Sequence, residues 1–288
     1  MTQTIFISGA TGNIGSNIIN SLKKKDVKIR AGVHSQASRS KLEKQGVDVV
    51  TVDFSNIDSI RGALNGCTKA FSMSPISPDL VNLGLNFLKA AQEVGIEHLL
   101  RLSGMGADNP QAISLGRMHR EVEMAIEKSS IPYTFVRPNS FMQNYLNFAS
   151  ESIRTQKAFY FPIGDGRISL IDARDIGDVA AEIFTTSSHF GKAFTLTGPE
   201  AISNYEIADQ LSNIVGEKIT YFDVPESQAR SAMLEQGMPE KITEWILELY
   251  SINKAGYTAE TTSSVEDILG RKPRSFASFA FDHAEYFK

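Results

Sequence analysis

The octapeptide GATGNIGS, residues 9–16, constrains this chain more than any other stretch. It follows the apolar run Ile5, Phe6, Ile7 and precedes Ile14, Ile18, Ile19 and Leu22, which recur at helical spacing. A buried strand therefore passes through a glycine turn into a helix. The three glycines are expected to play separate parts. Gly9 allows the sharp turn, Gly12 leaves room for an approaching phosphate, and Gly15 permits close helix–strand packing. Free N–H groups near Asn13 and Ile14 at the helix start would face an anion that the helix dipole favours, and Thr11 and Asn13 add side-chain donors. The spacing is G-x-x-G-x-x-G, and no G-x-x-x-x-G-K-[ST] occurs, so a nucleoside triphosphate is not the expected ligand.

The rest of the chain supplies the context such a turn needs. Strand signals at 5–8, 27–33, 49–52, 70–73, 99–103 and 133–136 alternate with helical segments at 13–24, 38–45, 58–64, 80–94 and 116–128. Short apolar strands between helices imply a parallel sheet covered on both faces, with right-handed crossovers giving a Rossmann-like, doubly wound α/β fold. This pattern occupies residues 1–155. A smaller α+β lobe over residues 156–288 is expected above the carboxyl ends of the strands. In it, Gly164-Asp165-Gly166 reads as a turn between two short strands, Asp175 as a helix cap, and residues 193–196 and 219–224 as strands. Ser203 with Glu206 reads as a capping box, and Ile242, Trp245, Ile246, Leu249 and Tyr250 as one face of a late helix.

The chain's 288 residues suffice for one large domain with an appendage, and a net charge of −4 argues against a general nucleic-acid surface. The lone Cys67 excludes an internal disulfide framework and fits a reducing compartment. No apolar run approaches the ~20 residues that span a bilayer, and no basic-then-apolar leader precedes the first strand. A cytoplasmic protein that does not engage membranes, monomeric or homodimeric, is expected.

The second strand indicates which nucleotide. Where an acidic residue would hold the ribose diol of NAD, the chain has Gly32-Val33-His34-Ser35, followed by Ser38, Arg39 and Lys41. Donors and positive charge there favour NADP(H), with NAD(H) as a secondary partner. Asp53 and Phe54, after the third strand, are placed to meet adenine. Met73 and Ser74, after the fourth, lie beside the expected nicotinamide ribose.

These glycines, Asp53-Phe54, Ser103-Gly104, residues 119–146 (HREVEMAIEKSSIPYTFVRPNSFMQNYL) and residues 164–181 (GDGRISLIDARDIGDVAA) together resemble the NmrA-like family of atypical short-chain dehydrogenase/reductases. Within it they are most similar to bacterial quinone reductases and triphenylmethane-dye reductases. The resemblance implies a Rossmann fold, NADP(H) preference and a cleft between lobes. By motif, Gly9, Thr11, Gly12, Asn13 and Ile14 would hold the pyrophosphate, and His34, Ser35 and Arg39 the 2′-phosphate. Met73, Ser74, Ser103, Pro138, Asn139 and Phe141 would surround the nicotinamide half. Relatives usually carry arginine where His34 stands.

Ordinary short-chain dehydrogenases protonate substrate with the tyrosine of Tyr-x-x-x-Lys. Here Leu115 stands at the tyrosine position and His119 at the lysine position. Such a site suits acceptors that take hydride readily, such as quinones, cationic dyes or activated alkenes. The candidate catalytic residues are His119, opposed by a reading in which it is packed and paired with Glu123, and Ser103. Phe141, Met142, Tyr145, Trp245 and Tyr250 are candidates for an apolar substrate pocket. The expected function is an NAD(P)H-dependent reductase of a small apolar acceptor. The alternative is a non-catalytic NADP(H) sensor acting through a protein partner. Scattered histidines and one cysteine give no metal site, and Asp172, Asp175 and Asp178 read as caps and solvated charges.

Overall fold

The computed structural model describes residues 3–34, 36–44 and 46–288. Six strands alternate with five helices at the start: β1 Thr4–Ile7, α1 Asn13–Leu22, β2 Lys28–Val33, α2 Gln36–Glu43, β3 Asp48–Thr51, α3 Ile57–Leu64, β4 Lys69–Ser72, α4 Leu80–Val94, β5 His98–Leu102, α5 Ser114–Glu127 and β6 Tyr133–Pro138. There follow α6 Gln143–Phe148, α7 Ser150–Gln156, β7 Ala158–Phe161, β8 Arg167–Ile168, α8 Ala173–Thr185, β9 Lys192–Leu196, β10 Ile202–Ser203, α9 Asn204–Val215 and β11 Thr220–Asp223. The chain ends in four helices, α10 Glu226–Glu235, α11 Glu240–Lys254, α12 Ser264–Leu269 and α13 Phe276–Asp282.

The main sheet has seven strands in the order β3-β2-β1-β4-β5-β6-β9, and β1 to β6 pair in parallel. Strand order reverses at β1, whose neighbours are β2 and β4. In open α/β sheets, ligands bind at this switch point, outside the carboxyl ends of the strands. The central strands are buried on both faces, and all of β4 and β5 is shielded from water. That is why they read as apolar runs rather than alternating ones. Alternate residues of β5 face opposite layers. His98 packs edge-on against Phe184 of α8, whereas Arg101 faces α5.

The chain divides into two compact units, Met1–Arg137 with Ile176–Thr195, and Pro138–Asp175 with Leu196–Lys288. The sequence pattern suggested one boundary near residue 155. Two later elements instead return to the first unit. The predicted strand at 193–196 is β9, the seventh strand of the main sheet, with Gly191 N bonded to Tyr133 O. Helix α8 lies against α1: Ser21 donates to Asp178, Lys25 pairs with Glu182, and a Cβ on Gly177 would stand 2.7 Å from the Asn17 carbonyl carbon.

In the second unit β7 pairs with β11 and β8 with β10. The Gly164–Gly166 turn therefore links two strands that pair elsewhere rather than forming a hairpin. Gly164 has φ +59°, a conformation that strains any residue with a Cβ. The Ser203–Glu206 capping box is present in full. Helix α8 is capped by Asp172, whose carboxylate accepts from Arg174 N, and Asp175 lies inside its first turn. The core of this unit gathers Met142, Tyr145, Phe159, Tyr221, Phe276 and Phe279. In α11, Trp245 is buried as expected, but Thr243 and Leu247 join it instead of Ile242 and Leu249.

The α1–α8 approach sets a test of the fold. Gly177→Val should lower the unfolding free energy by about 1–3 kcal/mol in urea titration, because its side chain meets Asn17 backbone that cannot rotate away.

Candidate functional site

The switch point is built from the backbone up. Gly9, at φ +59°, turns the chain out of β1, and its Cβ would collide with Met73 Cε at 2.3 Å. Ser8 ties this turn to the end of β4, since its hydroxyl accepts from Met73 N at 2.8 Å. Gly15 seats α1 on the turn: a Cβ there would lie 2.3 Å from the Gly9 carbonyl oxygen. Gly12 differs. It is the N-cap, with φ −82°, and its Cβ would meet only the Gly9 oxygen at 3.4 Å. Nothing within the fold demands glycine at that position, so the bare backbone there leaves space for something outside the protein. Gly12 has no side chain to cap the helix, so the N–H groups of Asn13, Ile14 and Gly15 keep no intrahelical partner. Thr11 and Asn13 are exposed beside them, and Ile14 is buried.

Beyond β2, His34 is exposed, with its ring 6.3 Å from that of Phe54. Arg39, on α2, pairs with Glu43 at 2.6 Å. A pair this exposed, four residues apart on one helix, is worth only about 0.3–0.5 kcal/mol and yields readily to a better anion. Ser35 and the side chains of Ser38 and Lys41 lie outside the described residues. Asp53 accepts from the backbone and hydroxyl of Ser55, which together hold its carboxyl below the usual range. Phe54 is buried against Phe87, with ring centroids 5.3 Å apart.

At the carboxyl ends of β4 and β5 lies a buried polar layer that the sequence pattern only half anticipated. Ser72, Ser74, Arg101, Ser103 and Glu123 are all removed from water. Glu123 does not pair with His119. Its carboxylate takes Arg137 through both oxygens, at 2.9 and 2.7 Å, and Arg120 at 3.0 Å. Arg137 also bonds Asp108. Burial raises the Glu123 carboxyl, but Arg137, Ser103 and Arg120 together outweigh it and the net shift is downward. His119 is pushed down to about 3, chiefly by burial and then by the Arg101 charge, so it is a neutral imidazole near pH 7. Its Nδ1 has no hydrogen-bond partner, whereas the Ser103 hydroxyl helps to hold the Glu123 carboxyl down. Leu115 is buried where a tyrosine acid would stand.

The remaining candidates belong to the second unit. Asn139 donates to Ser169 and to Thr258 O, both at 2.8 Å. Phe141 bridges to Ile171, and Pro138 ends β6. Met142 and Tyr145 are buried in that unit's core, where the Tyr145 hydroxyl donates to Asn204 at 2.6 Å and burial raises its pKa. Trp245 is buried, with Lys241 Nζ 5.9 Å from its ring. Tyr250 borders a cavity of about 290 Å³ that Asp223, Leu247 and Lys254 also line.

The reading of the three aspartates as solvated charges needs correction. Asp172 and Asp175 are not solvated: Asp172 is gripped by Arg174 and Gln143, and Asp175 by Arg271 and Arg274. Asp178 is bonded to Ser21. Among the described residues no group of three or more His, Cys, Asp or Glu is placed to hold a metal ion, and no helix is long and apolar enough to cross a membrane. The residue missed altogether is Arg101, fully buried in β5. An arginine flanked by leucines in a strand, two residues before Ser103, was the available signal.

The chain matches the NmrA-like family over residues 1–280. It is 35% identical to an NAD(P)H azoreductase of Xenophilus azovorans, covering 98% of this chain and 99% of that one. Two solved structures are similar over nearly the whole length. An NADPH-dependent quinone oxidoreductase from Escherichia coli, complexed with NADPH, is 25% identical with a TM-score of 0.87, covering 98% and 99% of the two chains. The Citrobacter triphenylmethane reductase complexed with NADP(H) is 26% identical with a TM-score of 0.86, covering 97% and 99%.

The Glu123–Arg137 pair sets a pH test. Glu123 titrates below its ordinary value of 4.5 when folded, so the stability it contributes is complete above the unfolded value and fades as pH falls through the folded one. Glu123→Gln should cost about 3 kcal/mol near pH 7. The gap to wild type should close as denaturation is followed from pH 5 downward.

Proposed function

We propose, from the premise that the chain belongs to the NmrA-like family, that it is an NAD(P)H-dependent reductase of small, hydride-accepting molecules. NADPH is the preferred donor and NADH a poorer one. The observation that carries the reading is the Gly9–Gly15 turn at the switch point, where Gly12 lacks a side chain that the fold itself would tolerate. A pyrophosphate fits that space and the unpaired N–H groups around it.

The residues divide the work by position. Gly9, Thr11, Gly12, Asn13 and Ile14 hold the pyrophosphate. His34, Ser35 and Arg39 take the 2′-phosphate, with Arg39 released from Glu43. Asp53 and Phe54 border the adenine. Met73, Ser74 and Ser103 receive the nicotinamide half. Phe141 and Tyr250 contribute apolar surface for the acceptor. The bound dinucleotide supplies a hydride. The protein's own part is to position donor and acceptor and to exclude water, without a resident proton donor. Leu115 cannot move a proton, and His119, neutral near pH 7, carries none to give as an acid of ordinary strength. Acceptors whose product anion is delocalised, or whose product is neutral, take any needed proton from water. The enzyme works as a monomer or homodimer in the cytoplasm.

NADPH absorbance followed with a panel of quinones and dyes should fall in the presence of the purified protein. Tight NADPH binding with no oxidation across the panel would overturn the reductase reading and leave a sensor. In the same assay Gly12→Ala should leave the thermal midpoint in place and weaken NADPH binding about tenfold or more, a loss near 1.4 kcal/mol. His119→Ala should reduce turnover by less than about threefold, far from the ~100-fold that removing a general acid costs.

A further inference from the structure

Arg101 is the largest side chain buried completely within the protein, at 1% exposure. Its guanidinium is held from one side only. Nη1 donates to Ser74 Oγ at 3.2 Å and to Ser72 O and Oγ at 3.4 Å, while Nε and Nη2 have no hydrogen-bond partner. Among the described residues no carboxylate forms an ion pair with it. Glu123 faces it from α5, but both Glu123 oxygens are committed to Arg137 and Arg120. The other charges of this layer, Arg137 with Asp108 and Arg120 with Glu127, are paired among themselves, and His119 is neutral near pH 7. Even in this setting Arg101 stays protonated, since burial lowers it only to about 10.

A guanidinium taken out of water without a counter-charge is costly, and such groups are normally paired. Clamping Ser72 and Ser74 employs Nη1 alone and leaves the two bare nitrogens unexplained. His119, on the neighbouring α5, also presents an unpartnered polar atom, its Nδ1. All of this sits at the carboxyl ends of β4 and β5, the ligand end of a parallel sheet. A fixed positive charge there, in surroundings of low dielectric, acts on any charge that develops nearby.

We propose that Arg101 supplies the positive charge that stabilises an oxyanion on the acceptor, which makes quinone-type carbonyl compounds, rather than cationic dyes, the substrates of this protein. The inference rests on the reductase reading and deepens it. A bound reduced dinucleotide would supply a hydride, two electrons with one proton, from its own C–H bond and be oxidised in doing so; a quinone that takes it up as a new O–H bond would become a hydroquinone monoanion. Its negative oxygen sits in the field of Arg101 until water protonates it. A cationic dye would instead bring a second positive charge to a site already holding one.

The first experiment needs no turnover. 4-Nitrophenol is titrated into the full-length protein with NADP⁺ present, and the phenolate band is followed against pH. Bound to wild type, the phenol should ionise at least about tenfold more readily than in water, a pKa about one unit lower. Arg101→Lys should keep part of that shift, and Arg101→Met should abolish it. An equal shift in Arg101→Met and wild type overturns the proposal, as does a wild-type protein that binds the phenol without lowering its pKa or does not bind phenolate at all. If Arg101→Met fails to fold, Arg101→Lys carries the comparison, because NADP⁺ contributes the same positive charge in both proteins; a Lys variant with the full wild-type shift overturns the proposal. The second experiment compares kcat/KM for menadione and for malachite green. Wild type should prefer the quinone, and Arg101→Met should move the ratio about tenfold toward the dye. Phenolate binding that depends on Arg101 without any NADPH oxidation would retain the anion site and remove the reductase reading. Turnover with an unshifted phenol would do the reverse.

Discussion

The seating of α1 on the turn after β1 is the constraint on which the candidate site depends. Gly15 lies so close to Gly9 that no side chain fits between them, and Ser8 fixes the same turn to Met73 at the end of β4. The helix start is thus locked at the point where strand order reverses. Its uncapped N–H groups and its dipole face outward at a fixed place. Move α1 by one side chain's thickness and those donors no longer converge. The first unit builds the rest of its ligand end around this contact, with β2 and β4 flanking β1 and β5 beyond.

Buried charge is the second theme, and the two units handle it differently. In the second unit charge is matched: Asp172 with Arg174, Asp175 with Arg271 and Arg274. Pairs of this kind add little net stability over well-packed apolar groups, but each is expensive to break, because the surviving partner is left buried and uncompensated. Within the second unit they tie Asp172 and Asp175 to Arg174 and to the segment around Arg271–Arg274. In the first unit Glu123 is satisfied by Arg137 and Arg120, whereas Arg101 is bonded through Nη1 alone and has no carboxylate partner among the described residues. A local conflict that costs stability without an evident structural return is where function is expected to reside.

Much of this was legible in the residues. The strand–glycine–helix start, the alternation through β6, the capping box at Ser203 and the absence of a tyrosine acid all depend on neighbours within a few positions, and local physics fixes them. Membership of the NmrA-like family was legible for the same reason, because its motifs are short and contiguous. Three misreadings share one cause. Asp175 looked solvated because its arginine partners, Arg271 and Arg274, are far along the chain, and Asp172 because nothing local shows that it and its neighbour Arg174 are covered by distant segments such as Gln143. Met142 and Tyr145 looked like pocket lining because helical spacing identifies an apolar face without saying what covers it; here the cover is the second unit's own core. β9 looked like part of the later lobe because its period gives no hint that it adds to the edge at β6.

By itself the sequence determined the class of fold, the glycine turn with its appetite for a phosphate, and the lack of the usual proton donor. Hydrophobic period, backbone freedom at glycine and the chemistry of single side chains are all local properties. Only the tertiary structure decided that Glu123 belongs to Arg137 rather than to His119, that His119 is neutral, and that Arg101 stands buried with half its donors unused. Those outcomes depend on which groups are brought together and on how much water is removed from between them. A charge's pairing and its desolvation are set across strands and helices distant in the chain, so no local pattern encodes them.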